Sequence, residues 1–312
     1  MERKQSLSRI AYLIIAHHQP SHLARLIKQL EHSDDHFFIH VDRKQSIELF
    51  QNEVMTTENI HWISDRKSIF WVGIGTVLAE VELLRAAYQY GAFDQYILLS
   101  GSDYPIKPPE YIRSFLVQEK RIFIPVQGCI YPTTDRRFSD RFNHYHFINN
   151  DFLNPRGKHS NQFFFYQVRK YLNKHPLCRR IPENIHLYQG PTWVGLTHAF
   201  VKYLFTEVAI QKLIRFYKFM YCPDEMFLPT LVKTSPYAND LYFDYEKNTD
   251  GLNWLGLFYT DWHTPTVILP KTLVEEDFTA LKESHIHALF GRKFDEVKSK
   301  ELLLLVDKHL LK

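Results

Sequence analysis

The sequence predicts an α/β fold built on a mainly parallel sheet, and three observations predict it. Continuously apolar segments such as "RIAYLIIAH" (9–17) and "HFFIHVD" (36–42) are typical of parallel strands that are buried on both faces. Segments with the apolar spacing of helices lie between them, and "GTVLAEVELLRAAYQYG" (75–91) is a long helix that ends at a glycine. The two patterns alternate, as parallel βαβ units require.

Three more segments complete the predicted sheet. They are "NIHWIS" (59–64), "FDQYILLSGSDYPI" (93–106), which is a strand running into a polar turn, and "RIFIPV" (121–126). No linker, repeat or low-complexity tract interrupts the chain, so we expect one domain over residues 1–312. Its first half, 1–126, is expected to bind a nucleotide and its second half, 127–312, to hold the acceptor and catalytic groups.

Composition excludes some classes of protein. The chain has 312 residues, 45% of them apolar and 23% charged, which is ordinary for a globular enzyme. Its net charge of +3 is too small for a nucleic-acid-binding protein. Three cysteines lie far apart without a CxxC motif, which favours a reducing compartment. The tail "KSKELLLLVDKHLLK" predicts an amphipathic helix that packs on the body or, alternatively, docks on a membrane surface.

Polar residues follow three of the predicted strands. His17 and His18 end the first strand, Asp42 ends the second, and Ser102 and Asp103 follow the strand over 93–100. Ligands of open parallel sheets bind at the carboxyl ends of the strands. The sequence therefore predicts a binding site at this edge.

The segment "YCPDEMFLPTL" (221–231) places two acids at the start of an apolar helix. Pro223 suits the first helical position, and Asp224 and Glu225 then fall in the first turn, where the helix dipole favours negative charge. That structural role explains the pair by itself. In the functional alternative, Asp224 caps the helix and Glu225 reaches into the cleft as a general base.

Cationic and aromatic residues mark three further candidates. The stretch 127–160 is rich in arginine, including Arg137 and Arg141, and is either a substrate-facing loop or a solvated connector. Trp193, on a predicted short strand, is either a core residue or a platform for a sugar ring. In "HALFGRKFDE", Arg292 and Lys293 lie between two phenylalanines and could meet a diphosphate, although a solvated helix end has the same pattern.

No motif for a metal or cofactor is present in the sequence. A divalent ion in a nucleotide-sugar transferase is often held by an Asp-x-Asp pair after a strand, but "SGSDYP" offers only Asp103. His17 and His18 have no partner at zinc-ligand spacing. Walker, GxGxxG and GxSxG motifs do not occur. We therefore expect neither a metal nor a cofactor.

Five segments in order resemble one enzyme family. They are "AYLIIAHHQPSHLARLIKQL…FFIHVDRK", "FDQYILLSGSDYPI", "GPTWVGLTHAFVKYLF", "YCPDEMFLPTL" and "LFGRKFD". Together they resemble the core-2/I-branching β-1,6-N-acetylglucosaminyltransferase family, which includes the peptide O-xylosyltransferases. The resemblance runs from about residue 10 to about residue 296. It implies a GT-A-like fold and inverting, metal-independent transfer of a sugar, GlcNAc by analogy, from a UDP-sugar to a hydroxyl of a glycan acceptor.

The resemblance also implies roles for single residues. Glu225 matches the catalytic base, Lys293 with Arg292 beside it matches the cation that neutralises the diphosphate, and Asp42 matches a residue of the uridine pocket. Trp193 matches a tryptophan near the acceptor. We add His17, Ser102 and Asp103 to the predicted UDP-sugar site and Arg137 and Arg141 to the acceptor site, from their places in the sequence.

One departure concerns "LFYTDW", where Phe258 stands at the position of an arginine in bacterial members. Another cation must then meet the diphosphate if that arginine does so elsewhere. The animal enzymes carry an N-terminal anchor and many disulfides. Their absence from this sequence predicts a bacterial cytoplasmic member, in contact with the inner face of the membrane or free of it, that acts in surface polysaccharide synthesis. UDP-xylose or UDP-glucose as the donor, and a non-catalytic sugar-binding protein, remain the alternatives.

Overall fold

The structure is a computed structural model that describes residues 9–130, 136–182, 185–242, 254–265 and 270–312. The strands are β1 (Ile10–Ala16), β2 (His36–Val41), β3 (Ile60–Trp62), β4 (Gln95–Ser100), β5 (Tyr104–Pro105), β6 (Gly128–Ile130), β7 (Leu187–Gln189), β8 (Gly195–Thr197), β9 (Trp254–Leu255), β10 (Phe258–Thr260) and β11 (Phe290–Arg292). The helices are α1 (Pro20–Leu30), α2 (Glu48–Glu53), α3 (Gly75–Tyr90), α4 (Pro109–Glu119), α5 (Arg136–Asn143), α6 (Phe163–Lys174), α7 (His198–Thr206), α8 (Ile210–Tyr217), α9 (Asp224–Lys233), α10 (Phe278–Lys282) and α11 (Lys300–His309), with 3-10 turns at Ala238–Asp240 and Glu275–Asp277.

The central sheet has the strand order β3-β2-β1-β4-β8. Its first three pairings are parallel, and β8 joins β4 in the antiparallel direction. The strand order changes direction between β1 and β4, which is where open α/β sheets form a ligand crevice. The α/β prediction with a mainly parallel sheet flanked by helices is confirmed, and the arrangement is GT-A-like.

Both faces of the sheet are covered because β1 alternates its side chains between two apolar layers. Ile10, Tyr12 and Ile14 pack in one layer with α1, α4 and α11. Ala11 and Leu13 pack in the other with α3, α7 and α9. A strand with both faces buried must be apolar at every position, which explains the unbroken apolar pattern.

A second sheet, with the order β5-β11-β10-β9, brings the C-terminal part of the chain to the edge of the first. In it Gly291 pairs with Tyr104, directly after Asp103. The segment "FGRKF" therefore returns to the carboxyl ends of β1 and β4. Both sheets contain strands from either side of residue 126, and the division at that residue stays a prediction.

The prediction of a strand over 121–126 is wrong. Only single bridges form there, from Ile122 to Leu241 and from Phe123 to Gly195. Pro125 in this segment has no N–H to donate to a ladder, which limits pairing. The place beside β4 is taken instead by the antiparallel strand β8.

The C-terminal helix α11 packs on the body, the first of its two predicted alternatives. Leu302, Leu303 and Val306 are buried, and Asp307 pairs with Arg25 at 2.7 Å. No helix within the described ranges is long and apolar enough to cross a membrane.

Candidate active site

The carboxyl ends of the parallel strands come together, as the sequence predicts. The amide of Asp42 donates to the carbonyl of Ala16 at 2.8 Å, and the amide of Gly101 donates to the carbonyl of Ile15 at the same distance. His17 and Asp42 therefore lie at one edge of the sheet with the turn that contains Ser102 and Asp103.

The side chains at the ends of the first two strands differ in their exposure and in their contacts with the rest of the protein. His17 is exposed and its ring is stacked on that of His18 with 4.1 Å between ring centroids. Asp42 is buried and accepts a hydrogen bond from the amide of Lys44 at 3.0 Å, while the Lys44 ammonium lies 2.9 Å from its carboxylate. Asp42 thus orders its own loop, and its backbone stays at the edge of the crevice.

A buried ion pair joins "SGSDYP" to "FGRKF". Nη1 of Arg292 lies 3.2 Å from Oδ1 of Asp103, although the two groups are not aligned as a hydrogen bond, and both side chains are buried. The guanidinium also lies over the ring of Trp193, 4.5 Å from its centroid. The Asp103 carboxylate accepts hydrogen bonds from Ser100, at 2.6 Å from the amide and 2.8 Å from the hydroxyl.

The backbone of Ser102 also links "SGSDYP" to "FGRKF". Its carbonyl accepts the amide of Phe294 at 2.8 Å, and its side chain is buried. Trp193 lies just before β8 and is half-buried. The structure therefore places Arg292 between Asp103 and Trp193, so that this cation is already paired.

Lys293 differs from Arg292 because its side chain is only half-buried. Among the described residues no carboxylate lies within ion-pair distance of its ammonium group, and its charge interacts with those of Arg292, Asp103 and Arg156. Burial lowers the pKa of Lys293, and the charge of Arg292 lowers it further. A partly dehydrated cation with cationic neighbours is suited to receive an anion.

Glu225 is held at the first turn of α9 by an arginine from α5. Nη1 of Arg141 donates to Oε2 of Glu225 at 2.8 Å, and about a third of the Glu225 side chain is exposed. The carbonyl of Glu225 accepts the amide of Gly190 at 2.9 Å, which ties α9 to the segment before Trp193. Arg137 is also on α5, but its side chain lies outside the described part of the structure.

Asp224 lies in the first turn of α9, as the sequence predicts, but does not cap the helix as the functional alternative supposed. Its carboxylate is buried and accepts the Thr192 hydroxyl at 2.8 Å. Burial raises the pKa of Asp224 to about 6, and the neighbouring charge of Glu225 contributes. Pro223, rather than a side-chain acceptor, stands at the N-cap.

A second buried acid, Glu80 on α3, faces Asp224. Within the described residues neither carboxyl oxygen of Glu80 has a hydrogen-bond partner. Burial raises the pKa of Glu80 well above its usual range, and the charge of Asp224 raises it further. Both effects favour the neutral form of Glu80.

Sequence reasoning missed a third cluster beside Glu225. Trp71 is 40% exposed, its ring meets Tyr221 edge-on at 6.2 Å, and the Arg156 guanidinium lies 4.1 Å from its centroid. Val72 and Cys222 adopt left-handed conformations, with φ of 54° and 53°, and the Cys222 amide donates to the Val72 carbonyl at 2.7 Å. A β-branched residue in this conformation is strained, and such strain is common at functional sites.

The Cys222 thiol is not a nucleophile in this setting. Burial raises its pKa, and the charges of Asp224 and Glu225 raise it further. The thiol therefore stays protonated. The described residues contain no group of three His, Cys, Asp or Glu side chains able to hold a metal ion.

The arrangement combines an acid and several cations at the edge of a nucleotide-binding type of sheet. Glu225 can accept a proton, while Lys293 and Arg156 can receive the charge of phosphates or other anions. Trp71 and Trp193 offer aromatic surface of the kind that stacks on sugar rings. This combination suits a ligand that carries both an anionic group and a sugar, next to a group that can accept a proton.

Comparison with known proteins identifies the family. The model of the Core-2/I-Branching enzyme family matches residues 10–282, and the chain belongs to this family. Membership of this family, which the sequence predicted, makes the chain one of the Core-2/I-Branching enzymes.

Several curated relatives are xylosyltransferases. The chain is 24% identical to Xylosyltransferase 1 of Rattus norvegicus over 97% of its own length and 35% of the relative. It is also 24% identical to Xylosyltransferase 2 of Rattus norvegicus, over 97% and 34%, and to Xylosyltransferase 1 of Homo sapiens, over 97% and 30%. The chain thus spans about a third of the length of these relatives.

Proposed function

We propose that the protein transfers a sugar from a UDP-sugar to a hydroxyl of a glycan acceptor with inversion at the anomeric carbon. The observation that carries this proposal is the partly exposed Glu225 carboxylate, which Arg141 holds. The charge of Glu225 and that of Arg156 both act on Tyr221, and the charge of Arg156 also acts on Lys293. Membership of the Core-2/I-Branching enzyme family supports the reaction class. GlcNAc is the donor sugar that the resemblance described under Sequence analysis implies.

The proposed reaction needs one proton transfer and one displacement. Glu225 takes the proton of the acceptor hydroxyl, and the oxygen attacks the anomeric carbon on the face opposite UDP. The bond from that carbon to the diphosphate oxygen breaks, and UDP leaves with the electron pair. Lys293 meets the charge that develops on the diphosphate, which is the usual form of electrostatic stabilisation in such sites.

Arg292 has a supporting role in this proposal. It is buried between Asp103 and Trp193, so it orders the segment from which Lys293 projects. Phe258, at the position where the resemblance implies an arginine, is buried in β10 and its ring lies 5.5 Å from that of Phe290. Lys293 and Arg156 are therefore the cations that we assign in its place.

Xylose is the second candidate for the transferred sugar. The names of the relatives described above favour it, since they are xylosyltransferases. Screening the purified chain with UDP-GlcNAc, UDP-xylose and UDP-glucose, by thermal shift and by release of UDP, distinguishes these donors. A ligand at about 100 times its Kd adds ~2.7 kcal/mol of stability, which such a screen detects.

Glu225→Gln tests the reaction itself. With the donor found in the screen, we expect transfer to fall by about 10²–10⁴-fold while UDP binding persists. Glu207→Gln, an exposed acid on the surface, is the matched control and should keep wild-type activity. Equal activity of Glu225→Gln and wild type would remove Glu225 from the mechanism. A wild-type chain that binds UDP-sugars but neither transfers nor hydrolyses them would favour the non-catalytic alternative.

A further inference from the structure

Helix α6 (Phe163–Lys174) is unusual because it buries none of its residues although it is rich in aromatic side chains. Phe163 is 79% exposed, Phe164 is 67% exposed and Tyr171 is 65% exposed. Phe164 and Tyr171 are seven residues apart and so share one side of the helix. Tyr166, within the helix, and Leu177, just after it, extend the exposed apolar surface. Exposed surfaces of this kind mark interaction sites in folded proteins.

The chain segment that contains α6 carries charge of one sign only. Residues 152–182 contain seven lysines and arginines and no aspartate or glutamate, in a chain whose total net charge is +3. The seven are Arg156, Lys158, Arg169, Lys170, Lys174, Arg179 and Arg180. Aromatic residues and a concentration of cations therefore occur on the same segment.

The helix is nevertheless a fixed part of the fold. Arg169 donates to the carbonyl of Ser160 at 3.3 Å, and Phe165 packs on Phe152 with 4.6 Å between ring centroids. The segment between Asn150 and Ser160 connects α6 to Arg156 and through it to Trp71. The exposed aromatic face thus lies on the continuation of the loop that reaches the candidate active site.

We infer that the face formed by α6 and residues 175–180 docks the protein on a lipid bilayer that contains anionic lipids. Aromatic side chains enter the interface between headgroups and acyl chains, and lysines and arginines are attracted to the negative surface. A second copy of the chain fits this face less well, because a two-fold contact would bring the same cationic segments together.

Docking through α6 differs from the alternative raised by the sequence, in which the C-terminal helix meets the membrane. In α11, Leu302, Leu303 and Val306 are buried in the core and only Leu304 is an exposed leucine. An acceptor attached to a lipid would then be presented beside Arg156 and Trp71. This last point depends on the proposed transferase activity, whereas bilayer binding itself does not.

Vesicle flotation tests the inference with the whole chain. We expect the wild type to float with vesicles of phosphatidylcholine mixed with phosphatidylglycerol at low salt, and to be released by high salt or by pure phosphatidylcholine. The double variant Phe163→Ser/Phe164→Ser should lower the partition coefficient by about tenfold or more, since two exposed phenylalanines no longer enter the interface. At low salt, Lys170→Glu/Lys174→Glu should lower the partition coefficient more than the phenylalanine substitutions do.

Two matched controls separate α6 from the rest of the surface. Leu304→Ser on α11 and Met55→Ser, which is 80% exposed, remove apolar groups of similar exposure elsewhere and should float as the wild type does. Circular dichroism and thermal unfolding check that all variants keep the fold. The substituted side chains are exposed, so unfolding temperatures should match the wild type.

Three results would overturn the inference. The wild type could fail to float with anionic vesicles at low salt. Alternatively, both α6 double variants could float as well as the wild type does. Sedimentation equilibrium could instead reveal a dimer that Phe163→Ser/Phe164→Ser dissociates, with no vesicle binding, and the face would then be an interface between copies. UDP release measured without vesicles is the separate test of the transferase, so a failure there leaves the flotation result intact.

Discussion

Arg141 and Glu225 form an ion pair across the candidate active site, with 2.8 Å between Nη1 and Oε2. The two residues are far apart in sequence and come from different helices, α5 and α9. The pair fixes the carboxylate while leaving part of it accessible to solvent. Sequence reasoning assigned Arg141 to the acceptor; the structure places it against the proposed base.

A double-mutant cycle tests whether the two residues act as a unit. Arg141→Gln should lower transfer by about tenfold or more, because the Glu225 carboxylate loses the group that orients it. Glu225→Gln should cost about 10²–10⁴-fold, and adding Arg141→Gln to it should cost little more. Full additivity of the two losses in kcat/KM would show that Arg141 contacts the substrate instead of holding the base.

Lys293→Ala tests the diphosphate site. A charge-assisted hydrogen bond is worth roughly 1.5–3 kcal/mol, so UDP should bind the variant about ten- to a hundredfold more weakly. Uridine, which has no phosphate, should bind wild type and variant equally in calorimetry. Transfer should slow as well, because the charge on the leaving group grows in the transition state.

Lys298→Ala is the matched control for this substitution, since Lys298 is exposed and close in sequence. It should bind UDP as the wild type does. Unchanged UDP affinity in Lys293→Ala, or an equal loss for uridine, would mean that Lys293 is structural. The diphosphate cation would then be sought at Arg156 and among the arginines of 136–141.

Chelation tests the proposed independence from metal. The lone Asp103 is hydrogen-bonded to Ser100 and paired with Arg292, so its carboxylate already has protein partners. We expect transfer to persist in EDTA and to change little when Mn²⁺ is added. Complete loss in EDTA with recovery on adding Mn²⁺ back would contradict the proposal and require ligands that include the substrate.

The strands and their polar ends could be predicted from the sequence because each depends on local pattern. The apolar segments 9–17 and 36–42 predict β1 and β2, and the polar residues after them meet because parallel strands end at one edge. The same local reasoning fails at 121–126, where antiparallel pairing of the distant β8 takes the place next to β4. Long-range competition of this kind has no signature within the segment.

The parts of the site that the sequence did not predict depend on backbone conformation and on burial. Trp71 is followed by a left-handed Val72, and no rule of propensity predicts a β-branched residue in that conformation. Glu80 lies on a helix at a position that the fold buries, whereas a glutamate in a sequence is most often at the surface. Neither feature follows from residue spacing.

Glu80→Gln tests the buried pair that Glu80 forms with Asp224. Burial raises the pKa of Glu80 in the folded state, so between its unfolded value of ~4.3 and its folded value the unfolded chain binds fewer protons than the native one. Stability from this group is then fully present below about pH 4 and is lost as pH rises, by ~1.4 kcal/mol per pH unit. The neutral amide of Gln removes that dependence.

We therefore expect the folded state of Glu80→Gln to become more stable, relative to that of the wild type, as the pH rises from 5 to 8. The histidines that titrate in the same range are present in both proteins, so the difference in stability between variant and wild type reports on Glu80. Asp224, whose pKa is raised to about 6, contributes to both proteins mainly below that pH. Above pH 6 the difference between variant and wild type should grow by ~1.4 kcal/mol per pH unit, as measured by urea unfolding at each pH.

Glu82→Gln, at a half-buried position on the same helix α3, is the control and should show no such growth. Parallel curves for Glu80→Gln and wild type would mean that Glu80 is ionised in the folded protein, and a cation would then have to be placed beside it.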